Sequence, residues 1–290
     1  MLTYRLVFGA LMTASFAAVA ICDGWLDGSL TASVADDSSI QGTLLCIVVS
    51  ILMVPAQLEL GRLARAKEIR IFAPVAIAAS ILFASSWYWM PFIEMSPAIC
   101  LFLLSAFCLA GLLVYQYVCC GTSGVLANCG ASWFSVFYLG ALSGFVVALR
   151  IDFGLWPMLM SVFAVKSSDI GAYAGGKLFG RHKFAPKISP GKTWEGMGGA
   201  AAAAMIVSIL FATGFGIMSW RLAAIFGCGA AFIGQMGDLA ESMMKRDAQQ
   251  KDSAKSVPGF GGILDIIDSP LATAPFAYLF FLLTVGRRIC

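Results

Sequence analysis

Carboxylates, cationic side chains and bare glycine backbone gather in residues 237–269, GDLAESMMKRDAQQKDSAKSVPGFGGILDIIDS. Gln235, Asp238, Glu241, Ser242 and Lys245 recur at helical intervals, so a helix carries them on one face. Lys245 and Arg246 bring positive charge to its end, and Lys251 and Asp252 follow in a polar loop. Pro258-Gly259-Phe260-Gly261-Gly262 is an elbow whose backbone can approach a ligand closely. Asp265 and Asp268, three apart, share a face if helical. Ser269-Pro270 reads as an N-cap and first-turn proline opening the last apolar helix. Apolar runs flank the stretch at 222–233 and 271–285. Charges beside hydrocarbon are costly, so this set points to magnesium and phosphate chemistry at a membrane edge.

A second polar stretch covers 166–196, KSSDIGAYAGGKLFGRHKFAPKISPGKTWEG. Asp169 sits close to the end of a short apolar run, where an acid faces protein or water. Gly171, Gly175, Gly176 and Gly180 have the spacing of close helix contacts; they could also admit a headgroup or nucleotide. Lys177, Arg181, Lys183, Lys187 and Lys192 make the segment cationic. Gly191-Lys192-Thr193 is not a P-loop, because Pro186 stands at the required first glycine and no strand precedes it. His182, the sole histidine, reads as a solvated or phosphate-facing residue.

The elements that must position these groups are membrane helices. The chain has 290 residues, 60% hydrophobic and 12% charged, against about a quarter charged in a soluble domain. This is an all-α, polytopic integral membrane protein. A formal net charge of +3 does not suggest a nucleic-acid partner. Nine apolar segments read as spans, near 6–22, 43–58, 71–87, 98–118, 133–149, 154–165, 197–217, 222–238 and 271–285, of which 154–165 is short and reads as lining a cavity. Ala18-Val19-Ala20 resembles a signal-cleavage site, but retention of the first span as a helix is expected. Residues 23–42 read as an acidic loop, and 59–68 as a basic amphipathic extension of the second span, a helix lying at the interface. Most of the nine cysteines, such as Cys46, Cys100, Cys108 and Cys228, lie in apolar runs and read as small packed hydrophobes. The division is 1–150, a set of N-terminal helices, and 151–290, a catalytic membrane region with two polar motifs.

With the N-terminus in the cytoplasm, fifteen of the nineteen Lys and Arg fall inside, leaving Arg150, Arg221, Arg287 and Arg288 outside. Both polar stretches then face the cytoplasm.

The 237–269 stretch closely resembles the signature of the phosphatidate cytidylyltransferases (CDP-diacylglycerol synthases): Ser242, Lys245-Arg246, Lys251-Asp252, Pro258-Gly259-Phe260-Gly261-Gly262, Asp265 and Asp268. Ser168-Asp169-Ile170-Gly171-Ala172-Tyr173 and 187–196, KISPGKTWEG, are similar to the same family. The resemblance is specific across 166–270, while 1–150 match only as hydrophobic spans. Phe260 stands where the family often has His, and Ile266 where it often has Arg.

The resemblance implies transfer of CMP from CTP to phosphatidate, a magnesium requirement and a homodimer; the membrane is the inner or plasma membrane if the source is bacterial. On that basis Asp238, Asp265 and Asp268 are expected to ligate or position Mg²⁺, with Asp169 lining the same cavity. Lys245, Arg246, Lys251, Lys187 and Lys192 are expected to hold the CTP phosphates or the lipid headgroup. Asp252 would ligate metal or orient Lys251. Ser242, Ser189, Thr193 and Pro258 would contact substrate, and Gly259, Gly261 and Gly262 would offer backbone N–H groups. Two other readings stay open: a CTP-dependent kinase or cytidylyltransferase for another lipid phosphate, and an ion-coupled transporter using Asp169 and Asp238.

Overall fold

The computed structural model describes residues 2–30, 41–254 and 261–286. Every regular element among them is helical. In chain order they are α1 (Leu2–Leu26), α2 (Thr43–Arg65), α3 (Ala73–Ala84), α4 (Ser86–Trp89), a 3₁₀ turn (Met90–Phe92) and α5 (Pro97–Cys120). Then come α6 (Val125–Ser135), a π-helical segment (Val136–Ala141), α7 (Leu142–Phe153), α8 (Leu155–Phe179), α9 (Trp194–Gly214), α10 (Trp220–Asp247) and α11 (Leu264–Thr284).

This is an integral membrane protein. Among the described residues six helical segments are long and apolar enough to cross a membrane: α2, α5, Val125–Phe153, α9, α10 and α11. The pair α3 and α4, bent by 55°, makes a seventh if it is one span. Nine spans were expected, and each expected segment falls on a helix. The six or seven long apolar helices among the described residues do not confirm nine, and α8, expected as a span at 154–165, carries Lys166, Asp169 and Lys177 within one 25-residue helix.

The chain forms two compact units, Met1–Ile151 with Asp247–Asp265, and Asp152–Arg246 with Ile266–Cys290. In the first, small residues let backbones meet. A Cβ on Gly140 would lie 2.7 Å from Ser80 Cα, and one on Gly144 would lie 2.9 Å from Phe83 O. Such close approach is how apolar helices associate where no hydrophobic driving force acts. Gln57 Nε2 donates to Ser80 Oγ at 2.6 Å beside this contact. Cys46, Cys100 and Cys108 pack as buried side chains, while Cys228, in the other unit, is exposed.

The segment 23–42 is not simply an acidic loop. Asp23 lies inside α1, and Arg150, expected outside the membrane, is fully buried against it. Arg150 Nε donates to Asp23 Oδ2 at 3.0 Å, and Nη2 pairs with Asp27 and reaches Ser29 Oγ at 3.0 Å. Nη1 reaches Gln41 Oε1 at 3.2 Å. The two carboxylates also accept backbone N–H groups, Leu44 on Asp23 at 2.8 Å and Gly42 on Asp27 at 3.2 Å. A buried guanidinium with this many partners joins the end of α1, the start of α2 and α7. Residues 59–65 extend the second span as one helix, α2 running unbroken through Pro55 to Arg65, but Glu59 is buried rather than at an interface.

In the second unit the glycines of the polar stretch do close packing. A Cβ on Gly175 would lie 3.2 Å from Gly199 Cα and 3.1 Å from Glu195 O, so α8 and α9 meet backbone to backbone. Thr193 caps α9 by accepting from Gly196 N at 3.0 Å. Gly234 and Gly237 let α10 pass close to its neighbours. Their Cβ atoms would meet Val165 and Thr273, and Asp268 O and Ala272, respectively. Phe226 stacks with Phe276 and packs on Phe281, which lies 5.6 Å from Phe153.

The last helix does not open at Ser269-Pro270. It begins at Leu264, with Pro270 and Pro275 inside it. Proline cannot donate to the carbonyl four residues back. At Pro270 that carbonyl is Ile266 O, and Lys166 Nζ donates to it at 2.7 Å. An ammonium group on α8 thus replaces the hydrogen bond that proline removes.

Candidate active site

The helical face read from 235–245 exists, on the last turns of α10. Lys192 stands against it. Its Nζ lies 2.6 Å from Asp238 Oδ2 and donates to Gln235 O at 3.0 Å. Gln235 Nε2 donates to Asp169 Oδ1 at 3.2 Å, and Lys166 Nζ lies 3.8 Å from Asp169 Oδ2. Two cations, two helices and the loop before α9 therefore meet around Asp169 and Asp238. Lys192 is only 13% exposed, so its charge is weakly screened and its geometry is fixed.

Beside this pair, Asp238, Glu241 and Asp268 each present a carboxylate oxygen, all within 4.8 Å of one another. Glu241 and Asp268 are buried. Lys245 Nζ balances Glu241 at 2.5 Å, one turn along α10. Asp268 Oδ1 accepts from Ser269 N at 2.6 Å. Ser242 Oγ lies 3.5 Å from Asp238 Oδ1. A cluster of three hard oxygen donors with this mutual spacing suits a small divalent cation, which takes oxygens at about 2.0–2.1 Å. Sequence reasoning put Glu241 on this face but gave it no role. Its burial was the missing signal, and local spacing does not carry burial.

Arg246 Nε donates to Ile188 O at 3.2 Å, which ties the end of α10 to the 181–193 loop. In that loop Lys187 is exposed and Ser189 half-buried. Ser189 O accepts from Lys192 N at 3.1 Å, so the turn that precedes Lys192 is closed by backbone. Thr193 is buried, with its hydroxyl spent on the α9 cap. His182 Nδ1 pairs with Glu195 at 2.6 Å and stays largely exposed.

Asp265, on α11, is held in the other unit. Its Oδ2 accepts from Gly262 N at 2.6 Å, Ser253 Oγ at 2.9 Å and Ser253 N at 3.2 Å. This carboxylate closes the loop that leads into α11. Gly261, at φ +105°, lies where a side chain would meet Asp252 Cβ at 3.4 Å, and its backbone conformation favours glycine. Lys251 and Asp252 are exposed in the same unit. Pro258, Gly259 and Phe260 lie outside the described residues, and so do Arg287 and Arg288.

Residues 37–284 match the model of the Cytidylyltransferase family. The chain belongs to this family. Among curated proteins it is similar to the phosphatidate cytidylyltransferase of Haemophilus influenzae, 40% identical over 142 residues, 44% of this chain and 46% of that protein. The phosphatidate cytidylyltransferase of Staphylococcus haemolyticus is 42% identical over 143 residues, 49% of this chain and 54% of the relative. That of Chlamydia pneumoniae is 35% identical over 184 residues, 58% of each chain. The chain thus spans about half the length of the curated relatives it matches. Within this family member, α10 is the helix on which acids and cations of the site converge.

Proposed function

We propose that the protein transfers CMP from CTP to phosphatidate, forming CDP-diacylglycerol and pyrophosphate. The observation that carries this reading is the carboxylate trio Asp238, Glu241 and Asp268, the last two buried, flanked by Lys192 and Lys245 on α10 and its neighbour loop. Family membership and the names of the relatives support it.

A phosphate oxygen of phosphatidate attacks the α-phosphorus of CTP. The new P–O–P bond forms as the bond to the β-phosphate oxygen breaks, and pyrophosphate leaves with that electron pair. The attacking oxygen is already ionised at neutral pH, so no strong general base is required. The task is to bring two anions together and to balance charge as it shifts toward the leaving group. Asp238, Glu241 and Asp268 would hold Mg²⁺, whose chemistry there is charge neutralisation of phosphate oxygens. Lys192 and Lys245, which here balance Asp238 and Glu241, are placed to take phosphate oxygens instead. Asp169 and Gln235 keep Lys192 and Asp238 in register. Arg246, Lys187 and Lys251 add positive charge for the incoming anions. Ser242, Ser189 and the backbone N–H groups of Gly259 and Gly261 would supply neutral donors. Asp252 would ligate metal or orient Lys251, and Asp265 would act by holding its loop. The membrane orientation we infer puts these groups in the cytoplasm, because the basic residues concentrate there. A homodimer rests on the family resemblance alone.

The test is turnover by the purified protein in detergent with phosphatidate, labelled CTP and Mg²⁺. CDP-lipid that disappears with EDTA supports the reading; no product from folded protein overturns it.

A further inference from the structure

One buried carboxylate outside the site is bonded to the start of α11. Glu59, on α2, is 2% exposed. Its Oε1 accepts from Ile263 N at 3.0 Å, and its Oε2 accepts from Leu264 N at 2.9 Å. Oε2 also accepts from Ser253 Oγ at 3.2 Å. Ile263 and Leu264 are the residues at which α11 begins. Their N–H groups have no carbonyl one turn back to bond, so a helix start needs acceptors from elsewhere. A carboxylate there also faces the positive end of the helix dipole. Glu59 therefore caps α11 from a distant part of the chain, roughly two hundred residues away in sequence.

The fit is tight. A Cβ on Gly262 would collide with both Ser253 Oγ and the Glu59 carboxylate. Ser253 Oγ lies between two carboxylates, 3.2 Å from Glu59 and 2.9 Å from Asp265. Ser253, Gly262 and the first turn of α11 are thus keyed to one side chain. That helix carries Asp268 one turn further on. Its early start also explains why Ser269-Pro270 does not open it.

We propose that Glu59 is a positioning residue for the reaction: it sets the start and rotational register of α11, and with it the placement of Asp268. The inference rests on the cytidylyl-transfer reading. Glu59 touches no reacting atom. It acts through Leu264 and Ser253, in the way that outer partners orient ligating carboxylates, whose loss costs roughly 10- to 100-fold in activity or metal affinity.

The experiment compares wild type, Glu59→Ala, Glu59→Gln and Ser253→Ala in detergent, by steady-state kinetics and by hydrogen exchange of backbone amides. In Glu59→Ala, kcat falls at least about tenfold, while KM for CTP and for phosphatidate stays within about twofold, because the substrate-contacting groups remain. The Mg²⁺ concentration for half-maximal rate rises. Exchange accelerates in peptides covering 251–254 and 261–268 and is unchanged in α9. Glu59→Gln, which keeps the volume and one acceptor, recovers part of kcat. Ser253→Ala shows a smaller fall. If Glu59→Ala does not purify folded, Glu59→Gln decides, with a reduced kcat expected. A wild-type kcat in the folded variants, or unchanged exchange at 261–268, overturns the proposal. Absent turnover in wild type defeats the reaction itself, while the exchange data still decide whether Glu59 holds α11.

Discussion

Lys192 and Asp238 meet at 2.6 Å, joining the loop before α9 to the polar face of α10. The ammonium also bonds Gln235 O, so it is held at two points on one helix turn. A lysine fixed in this way presents charge at little further entropic cost when a phosphate arrives.

Replacing Lys192 by Ala is expected to lower kcat/KM by roughly 10- to 100-fold, the worth of one charge-assisted hydrogen bond of about 1.5–3 kcal/mol. Lys192→Arg retains more, because charge is kept while the point geometry is lost. Initial rates over a range of CTP concentrations measure this. Equal rates in all three proteins contradict the role.

The carboxylates should separate into two classes. Asp268→Asn and Glu241→Gln remove members of the trio and are expected to raise the Mg²⁺ concentration for half-maximal activity, or to abolish activity. Asp265→Asn weakens an acceptor for Gly262 and Ser253, so its expected effect is faster amide exchange at 253–262 with a smaller change in Mg²⁺ dependence. A titration of rate against Mg²⁺ for the three variants distinguishes them.

Arg150→Met would strand Asp23 and Asp27 in a buried site. Breaking a buried ion pair from one side costs about 3–5 kcal/mol, so the thermal midpoint in detergent should fall by several degrees. Asp23→Asn, which keeps an acceptor, should cost less. Thermal unfolding of the purified variants checks this, and an unchanged midpoint for Arg150→Met contradicts it.

Gly199→Leu is expected to disrupt the α8–α9 crossing. A Cβ there already lies 3.2 Å from Gly175 Cα, and larger side chains force the backbones apart. Gly198, whose added Cβ meets nothing within 4 Å, is the control. Gly198→Leu should keep wild-type stability in the same thermal assay.

What the sequence discloses here is local periodicity. The face formed by Gln235, Asp238, Glu241 and Lys245 and the helix contacts of Gly171 and Gly175 both follow from spacing along one helix. Pairings between distant segments are not legible in that way. Glu59 sits in the run ELGRLARAKE and reads as part of a charged interfacial helix, yet its partners are Ser253, Ile263 and Leu264. Arg150 reads as an outer-loop cation, and its partners lie on α1 and the segment after it. Ser269-Pro270 carries a strong local start signal, which is overruled because Glu59 caps Leu264 and Lys166 satisfies Ile266 O. Asp265 and Asp268, alike in sequence, differ in what surrounds each carboxylate.

The most direct test of the central claim follows the phosphorus atoms of CTP. Purified protein is given phosphatidate, Mg²⁺ and CTP labelled at either the α- or the γ-phosphate. Cytidylyl transfer predicts α-label in the lipid product and γ-label in pyrophosphate, with both lost in Asp268→Asn. γ-Label in the lipid would instead reveal a CTP-dependent kinase and contradict the account.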